Sequence, residues 1–146
     1  MTPAAVVLLL QAVASGAMCG IIWFVQVVHY PLFAWGVDDE QAYALENQRR
    51  TGRVVIPFML VEGFAAIVLA WSPPPGVPRW LAVAGLALVG LLWVSTLAVQ
   101  MPLHARLARD GHAAGIVDRL VRSNWLRTVA WSLRAGIAAW MLHAAR

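Results

Sequence analysis

Four long stretches of the chain are mostly apolar, and polar or proline-rich segments separate them. These stretches lie near residues 4–28, 54–71, 80–100 and 124–143. Each is long enough to cross the hydrocarbon core of a bilayer as a helix, which takes about 17–25 residues. The pattern therefore predicts an all-α integral membrane protein. Its expected architecture is an antiparallel four-helix bundle that forms a single domain over residues 1–146.

The three connections between these stretches differ in character. Residues 72–78 read SPPPGVP, and a segment so rich in proline predicts a tight turn rather than a helix. In the first polar connection, Asp38 or Asp39 is a candidate N-cap for a short interfacial helix that ends near Gly52. The second polar connection is predicted to break at Asp110-Gly111, and we expect a short helix there too.

Two prolines lie close to predicted helix ends. Proline lacks an N–H group and its ring clashes with the preceding turn, so Pro31 is expected to end or kink the first helix. His104 would extend a polar face of the third helix only if that helix continues past Pro102.

Composition supports a membrane protein and argues against other classes. Hydrophobic residues make up 61% of the chain and charged residues only 12%, about half of the usual globular share. The net charge is +4, but the eleven arginines are scattered at helix ends and no aromatic-basic binding motif accompanies them. We therefore expect a lipid bilayer and no nucleic acid as the partner, with a homo-oligomer left open.

The arginines are also distributed unevenly between the two predicted sides of the membrane. Cytoplasmic loops of membrane proteins carry the excess of positive charge. The distribution predicts that both polar connections are cytoplasmic and that both termini are extracytoplasmic, which corresponds to a multi-pass protein of the inner (cytoplasmic) membrane. The first side carries Arg49, Arg50, Arg53, Arg106, Arg109, Arg119 and Arg122, and the second carries Arg79 and Arg146.

The fourth apolar stretch carries an unusual polar face. Steps of three, four and three residues place Asn124, Arg127, Trp131 and Arg134 in one sector of a helix. Lipid cannot satisfy a guanidinium group, so this sector must face protein or trapped water. Glu62 is the acidic residue within the predicted spans, and we expect it to pair with Arg134. The pair is either a structural clamp or part of a functional site.

Other helices contribute polar residues to the same predicted half of the bundle. This coincidence indicates one cytoplasm-facing site, although each residue also has a plain packing interpretation. The candidate catalytic residues are Glu62, Arg127 and Arg134, and the candidate substrate-binding residues are Gln26, Tyr30, Trp93, Gln100, Asn124 and Trp131.

His29 and His104 are candidate metal ligands near the ends of the first and third spans. Two imidazoles on facing helices could bind a haem axially, or could bind copper or iron together with Glu62. They could equally form hydrogen bonds to headgroups or to loop backbone. Neither a CxxCH nor an HExxH motif is present, so the cofactor stays undefined.

Several motifs together resemble a known group. VHYPLF follows the first span, QMPLH follows the third, and NWLRTVAWSLR opens the fourth. This pattern resembles a group of small four-span bacterial membrane proteins, which are distantly similar to the anthrone-oxygenase-like family. The resemblance implies oxygen-dependent oxidation of an aromatic or lipophilic substrate within the membrane, without defining a cofactor. The residues that match by position are Asn124, Arg127, Trp131 and Arg134.

Two functions remain open at this point. One is an oxidoreductase, dependent on a metal, haem or oxygen, that acts on a lipophilic substrate. The other is a non-catalytic membrane subunit or ligand-binding module whose polar cluster is structural. A transporter is disfavoured because the sequence shows no inverted repeat.

Overall fold

The protein is almost entirely helical. Its computed structural model describes residues 1–35, 38–111 and 115–145, and no strand occurs in these ranges. The all-α prediction is therefore confirmed for this part of the chain. The helices are α1 (Pro3–Phe24), α2 (Tyr30–Leu32), α3 (Glu40–Trp71), α4 (Arg79–Ser95), α5 (Met101–Asp110) and α6 (Ile116–Ala144).

Within the described residues, three helical runs are long and apolar enough to cross a membrane. They are Pro3–Trp35, Glu40–Trp71 and Arg79–Asp110. In the most apolar 18 residues of each run, no more than about a third of the residues are buried. The remaining apolar side chains face outwards, as lipid contact requires. Helix α6 does not meet the same criterion, because polar residues such as Arg127 and Arg134 lower its mean hydropathy. The fourth span stays a prediction.

Helix α3 corrects the predicted first connection. We expected a separate interfacial helix ending near Gly52, but the helix continues without a break from Glu40 to Trp71. It begins where the sequence indicates, since the Asp39 carboxylate accepts a hydrogen bond of 2.9 Å from the Ala42 N–H group. Gly52 lies inside this helix.

The other boundaries confirm some expectations and correct others. Residues 72–78 are not helical, and α5 ends at Asp110 before Gly111, as predicted. Helix α6 already starts at Ile116, before the predicted span, and α5 directly continues the third helical run. Arg146, which entered the charge distribution, lies outside the described residues.

Neither Pro31 nor Pro102 ends its helical run, so of the two outcomes expected at Pro31, a helix end or a kink, the helix end does not occur. A π-helical turn precedes each proline, at Val25–His29 and at Thr96–Gln100. Within these turns the Tyr30 N–H group donates to the Val25 carbonyl, and Met101 donates to Thr96. The wider turn accommodates the proline ring and the missing donor, so both helices continue. Such turns frequently occur at functional sites.

Each long helix packs against two others. Helix α1 contacts α3 and α6, and α4 contacts the same two helices on the other side. Buried apolar residues form three clusters along the helices, and the unusual polar side chains lie beside and between them. Representative members are Leu8, Leu69 and Met141 in one cluster, Met18, Met59 and Trp131 in the next, and Phe33, Leu107 and Leu120 in the third.

Candidate functional site

Glu62 and Arg134 form the ion pair that the sequence predicts. Arg134 Nε lies 2.5 Å from Glu62 Oε1, and the two side chains are 1% and 0% exposed. The pair joins α3 to α6. The two buried charges compensate each other, as charged side chains between helices in lipid must do.

The compartment around this ion pair is closely filled. A Cβ atom added to Gly85 of α4 would lie only 3.0 Å from Arg134 Nη1, so the absence of a side chain at Gly85 admits the guanidinium group. Ser15 of α1 is fully buried beside the Glu62 carboxylate. Gln11, one turn away on α1, is also buried and donates to Met141 Sδ at 3.7 Å. Residues from all four long helices therefore surround the pair or lie within one turn of it.

A second polar group lies where the π-helical turn of the first run meets α6. Asn124 Nδ2 donates to Gln26 Oε1 at 3.0 Å, and the Thr128 hydroxyl donates to the same oxygen at 3.3 Å. Gln26 Nε2 donates to the Val121 carbonyl at 3.1 Å, and Arg127 Nη1 donates to Asn124 Oδ1 at 3.1 Å. These contacts hold the Arg127 guanidinium group in place with neutral partners.

Tyr30 connects this group to the third helical run. Its hydroxyl forms a hydrogen bond of 2.9 Å with His104 Nε2 and donates to Gln100 Oε1 at 3.4 Å. Gln100 in turn donates to the Ser123 hydroxyl at 3.0 Å. The Arg127 side chain also lies close to the Tyr30 hydroxyl. Tyr30 directly follows the first π-helical turn, and Gln100 is the last residue of the second. One hydrogen-bond network therefore links the two turns.

A cavity of about 330 Å³ opens beside this network, between the first run, α3 and the third run. Most of its wall is apolar, and its polar side chains gather where Tyr30, His104 and Arg127 meet. Its apolar lining includes Met18, Ile22, Val25, Val55, Met59, Trp93 and Leu97, and its polar lining includes His29, Tyr30, Asn47, Gln100, His104 and Arg127.

Three polar atoms at this end of the cavity are buried without a hydrogen-bond partner among the described residues. They are His29 Nε2, His104 Nδ1 and Arg127 Nε. His29 is packed by Phe24, which stacks on it, and by the edge of Phe33, with Asn47 close to its ring. Buried polar groups in proteins are normally hydrogen-bonded, so three such atoms beside one cavity indicate a place for a polar ligand group or water.

The structure divides the predicted site residues between two places. Trp93, Tyr30, Gln100, Arg127 and the two histidines line the cavity, whereas Glu62 and Arg134 do not. Three further predicted residues are buried but do not line the cavity. They are Gln26, Asn124 and Trp131. The structure therefore separates the expected single site into a cavity and an ion pair that does not line it.

Sequence reasoning missed several residues that shape these two places. Ser15, Gly85 and Thr128 are small, and the local sequence of Gly85 and Thr128 does not distinguish them from packing residues. A signal did exist for Ser15, since it follows Gln11 by one helical turn on the same face of an otherwise apolar helix. Gly85 and Thr128 become visible only through the side chains that they contact.

The predicted metal site is not supported. No group of three or more histidine, cysteine or acidic side chains in the described ranges could hold a metal ion. Glu62 faces Arg134 instead of the histidines, and His104 Nε2 already contacts Tyr30. The residues present do not fit a copper or iron site that includes Glu62, and nothing in the cavity favours a haem.

Comparisons of the chain with protein-family models, with curated proteins and with solved structures found no match. The resemblance to the anthrone-oxygenase-like family therefore rests on the sequence motifs alone. The function of the protein is therefore inferred from the geometry of the cavity.

Proposed function

We propose that the protein is a four-span membrane protein that binds a lipophilic small molecule in the cavity beside Tyr30, His104 and Arg127. The observation that carries this proposal is the combination of an apolar cavity of about 330 Å³ with three buried polar atoms at one end. Ligand sites in proteins typically have this form, a largely apolar wall with a few convergent polar groups.

The membrane arrangement that we propose is the antiparallel bundle, with α6 as the fourth span. The side chains that α6 exposes along its apolar part include Trp125, Val129 and Leu133, whereas Arg127 and Arg134 are buried. A helix with this distribution can face lipid despite its low mean hydropathy. The arginine distribution favours extracytoplasmic termini. A reporter fused after Arg146 should be active outside the cytoplasm, and cytoplasmic activity would contradict this orientation.

The lining defines the chemistry of the proposed ligand. Met18, Met59 and Trp93 offer an apolar surface on which a hydrocarbon or flat ring system can lie. Arg127 is a cation without a carboxylate partner among the described residues. Together with the Tyr30–His104 pair, it favours a ligand whose polar end is a carbonyl, phenol or carboxylate oxygen.

Gly52 allows a direct test of the cavity. This residue lines the cavity, and a Cβ atom added there would meet only Ile56 Cδ1 at 3.7 Å. Gly52→Leu should fill the space without overpacking the backbone. Gly90→Leu is the matched control, since Gly90 lies exposed on α4 with no atom within 4 Å of an added Cβ.

The measurement is mass spectrometry of lipophilic molecules that co-purify with each variant, followed by titration with anthrone as a defined probe. We expect the wild type and Gly90→Leu to retain the same molecule and to bind anthrone, and Gly52→Leu to lose both. Equal retention by all three proteins would contradict the proposal.

A second candidate is the oxidation that the resemblance implies. The hydrogen-bonded Tyr30–His104 pair favours it, because the pair could hold or accept a proton from a phenolic or enolisable group placed at the polar end. Oxygen consumption by the purified protein with anthrone, compared with Tyr30→Phe, tests this role. Anthrone binding without oxygen consumption above a detergent blank would leave binding as the function.

A further inference from the structure

We infer that the groove between α5 and α6 binds the headgroup of an anionic phospholipid. This groove is separate from the ligand cavity and has a volume of about 420 Å³. We call it the arginine groove, and it is lined by Ala98, Val99, Pro102, Leu103, Arg106, Arg119, Arg122 and Ser123.

Three exposed guanidinium groups converge on the arginine groove. Arg106 comes from α5, whereas Arg119 and Arg122 come from α6, and none of them forms an ion pair with another described residue. The neighbouring Arg109 differs, because its Nε lies 2.8 Å from Asp110 Oδ1. Asp110 acts on Arg106 only at longer range. The groove therefore concentrates positive charge that the described protein does not compensate.

The other wall of the arginine groove is apolar and faces outwards. Ala98, Val99 and Pro102 are exposed, and Val94, one helical turn before Ala98 on the same run, is exposed as well. Arginines bind phosphate oxygens well, but an inorganic phosphate would use only their end of the groove. A phospholipid uses both parts, since its phosphate meets the arginines while its glycerol and acyl chains follow the apolar wall.

The location also suits a lipid. In the proposed arrangement this groove lies at the cytoplasmic boundary of the membrane, where anionic lipids attract basic segments. A general excess of arginine would suffice to orient the helices, without any need for the groups to converge. Three arginines from two helices converge beside an exposed apolar surface. Orientation of the helices in the membrane does not require such an arrangement.

Two double variants separate a specific groove from general charge. Arg119→Gln/Arg122→Gln removes two charges from the groove. Arg50→Gln/Arg53→Gln removes the same charge from exposed positions of α3 on the same predicted side. Arg50 pairs with Glu46 at 2.7 Å, and Arg49 keeps this carboxylate paired in the variant. The measurement is native mass spectrometry of protein released from detergent containing phosphatidylglycerol and phosphatidylcholine, with folding checked by gel filtration.

We expect the wild type and the α3 control to bind phosphatidylglycerol in preference to phosphatidylcholine. The groove variant should bind phosphatidylglycerol roughly thirtyfold more weakly, since each arginine near a membrane surface contributes about a fivefold effect. Equal weakening in both double variants, or no preference between the two lipids, would overturn the inference. Binding of inorganic phosphate as tight as that of phosphatidylglycerol would likewise assign the groove to a soluble anion.

This inference depends on the membrane location but not on the ligand cavity. Gly52→Leu should therefore keep its phosphatidylglycerol preference even when it loses the cavity ligand. Failure of one proposal can be distinguished from failure of the other.

Discussion

Two buried polar regions lie next to each other in this protein, and they differ in what surrounds their charges. Around Glu62 and Arg134, opposite charges meet at 2.5 Å, and the Arg134 guanidinium group occupies the space that the missing side chain of Gly85 leaves. Around Tyr30, His104 and Arg127, the partners are neutral, and a cavity of about 330 Å³ adjoins them. Both regions contain ionisable side chains within apolar helices, and the cavity is lined by residues of the second region but not by Glu62 or Arg134.

The difference shows that a buried charge is by itself a weak indicator of function. The Glu62–Arg134 pair compensates its own charge, although Glu62 Oε2 and Arg134 Nη1 also lack a hydrogen-bond partner among the described residues. Arg127 has no such compensation in the described residues, and its Nε has no hydrogen-bond partner there. An incompletely satisfied group beside open space is the stronger sign of a binding site.

The largest expected effect comes from breaking the ion pair on one side. Glu62→Gln should destabilise the protein by about 3–5 kcal/mol, because it leaves the Arg134 charge buried without compensation. Glu62→Leu/Arg134→Met removes both charges and should recover most of that loss. Unfolding in detergent measures both effects. If the double variant folds but no longer binds the cavity ligand, the pair has a function beyond holding α3 to α6.

Arg127 should show the opposite balance between stability and binding. Arg127→Met should weaken binding of the cavity ligand by roughly 10- to 100-fold, as expected for a lost hydrogen bond to a charged group. Its effect on unfolding should be smaller than that of Glu62→Gln, since no carboxylate is left without a partner. Ligand titration and detergent unfolding on the same samples measure the two quantities, with Arg53→Gln as the control. Loss of stability with unchanged affinity would place Arg127 in the structural region instead.

The smallest expected effect concerns the glycine that admits the guanidinium group. Gly85→Ala places a Cβ atom 3.0 Å from Arg134 Nη1, and the pinned guanidinium can retreat little, so about 1 kcal/mol of stability should be lost. Gly90→Ala on the same helix meets no atom within 4 Å and should be neutral or stabilising by about 0.5–1 kcal/mol. A comparison of their unfolding midpoints tests how tightly the ion-pair compartment is packed. Equal unfolding midpoints would show that the residues around the ion pair can move to accommodate the added methyl group.

The amino-acid sequence determined the helical class, the long apolar runs and the need for a Glu62–Arg134 contact. These features follow from local or very general physics. A run of apolar residues favours a helix in lipid because its backbone groups are satisfied within the segment, and a buried charge requires a partner of opposite sign. Asp39 as the N-cap and the break after Asp110 were also predictable, since capping and turn chemistry depend on neighbouring residues.

The tertiary structure decided how these parts combine. The helical runs continue past Pro31 and Pro102 through π-helical turns, and the sequence pattern did not predict these turns. The positions of Glu62 and Arg127 along their spans predicted the same half of the bundle, but only the tertiary structure showed that Arg127 lines the cavity and Glu62 does not. Gly85 and Ser15 have no signal of their own strong enough to reveal this, because their role is the space that they leave to residues distant in sequence.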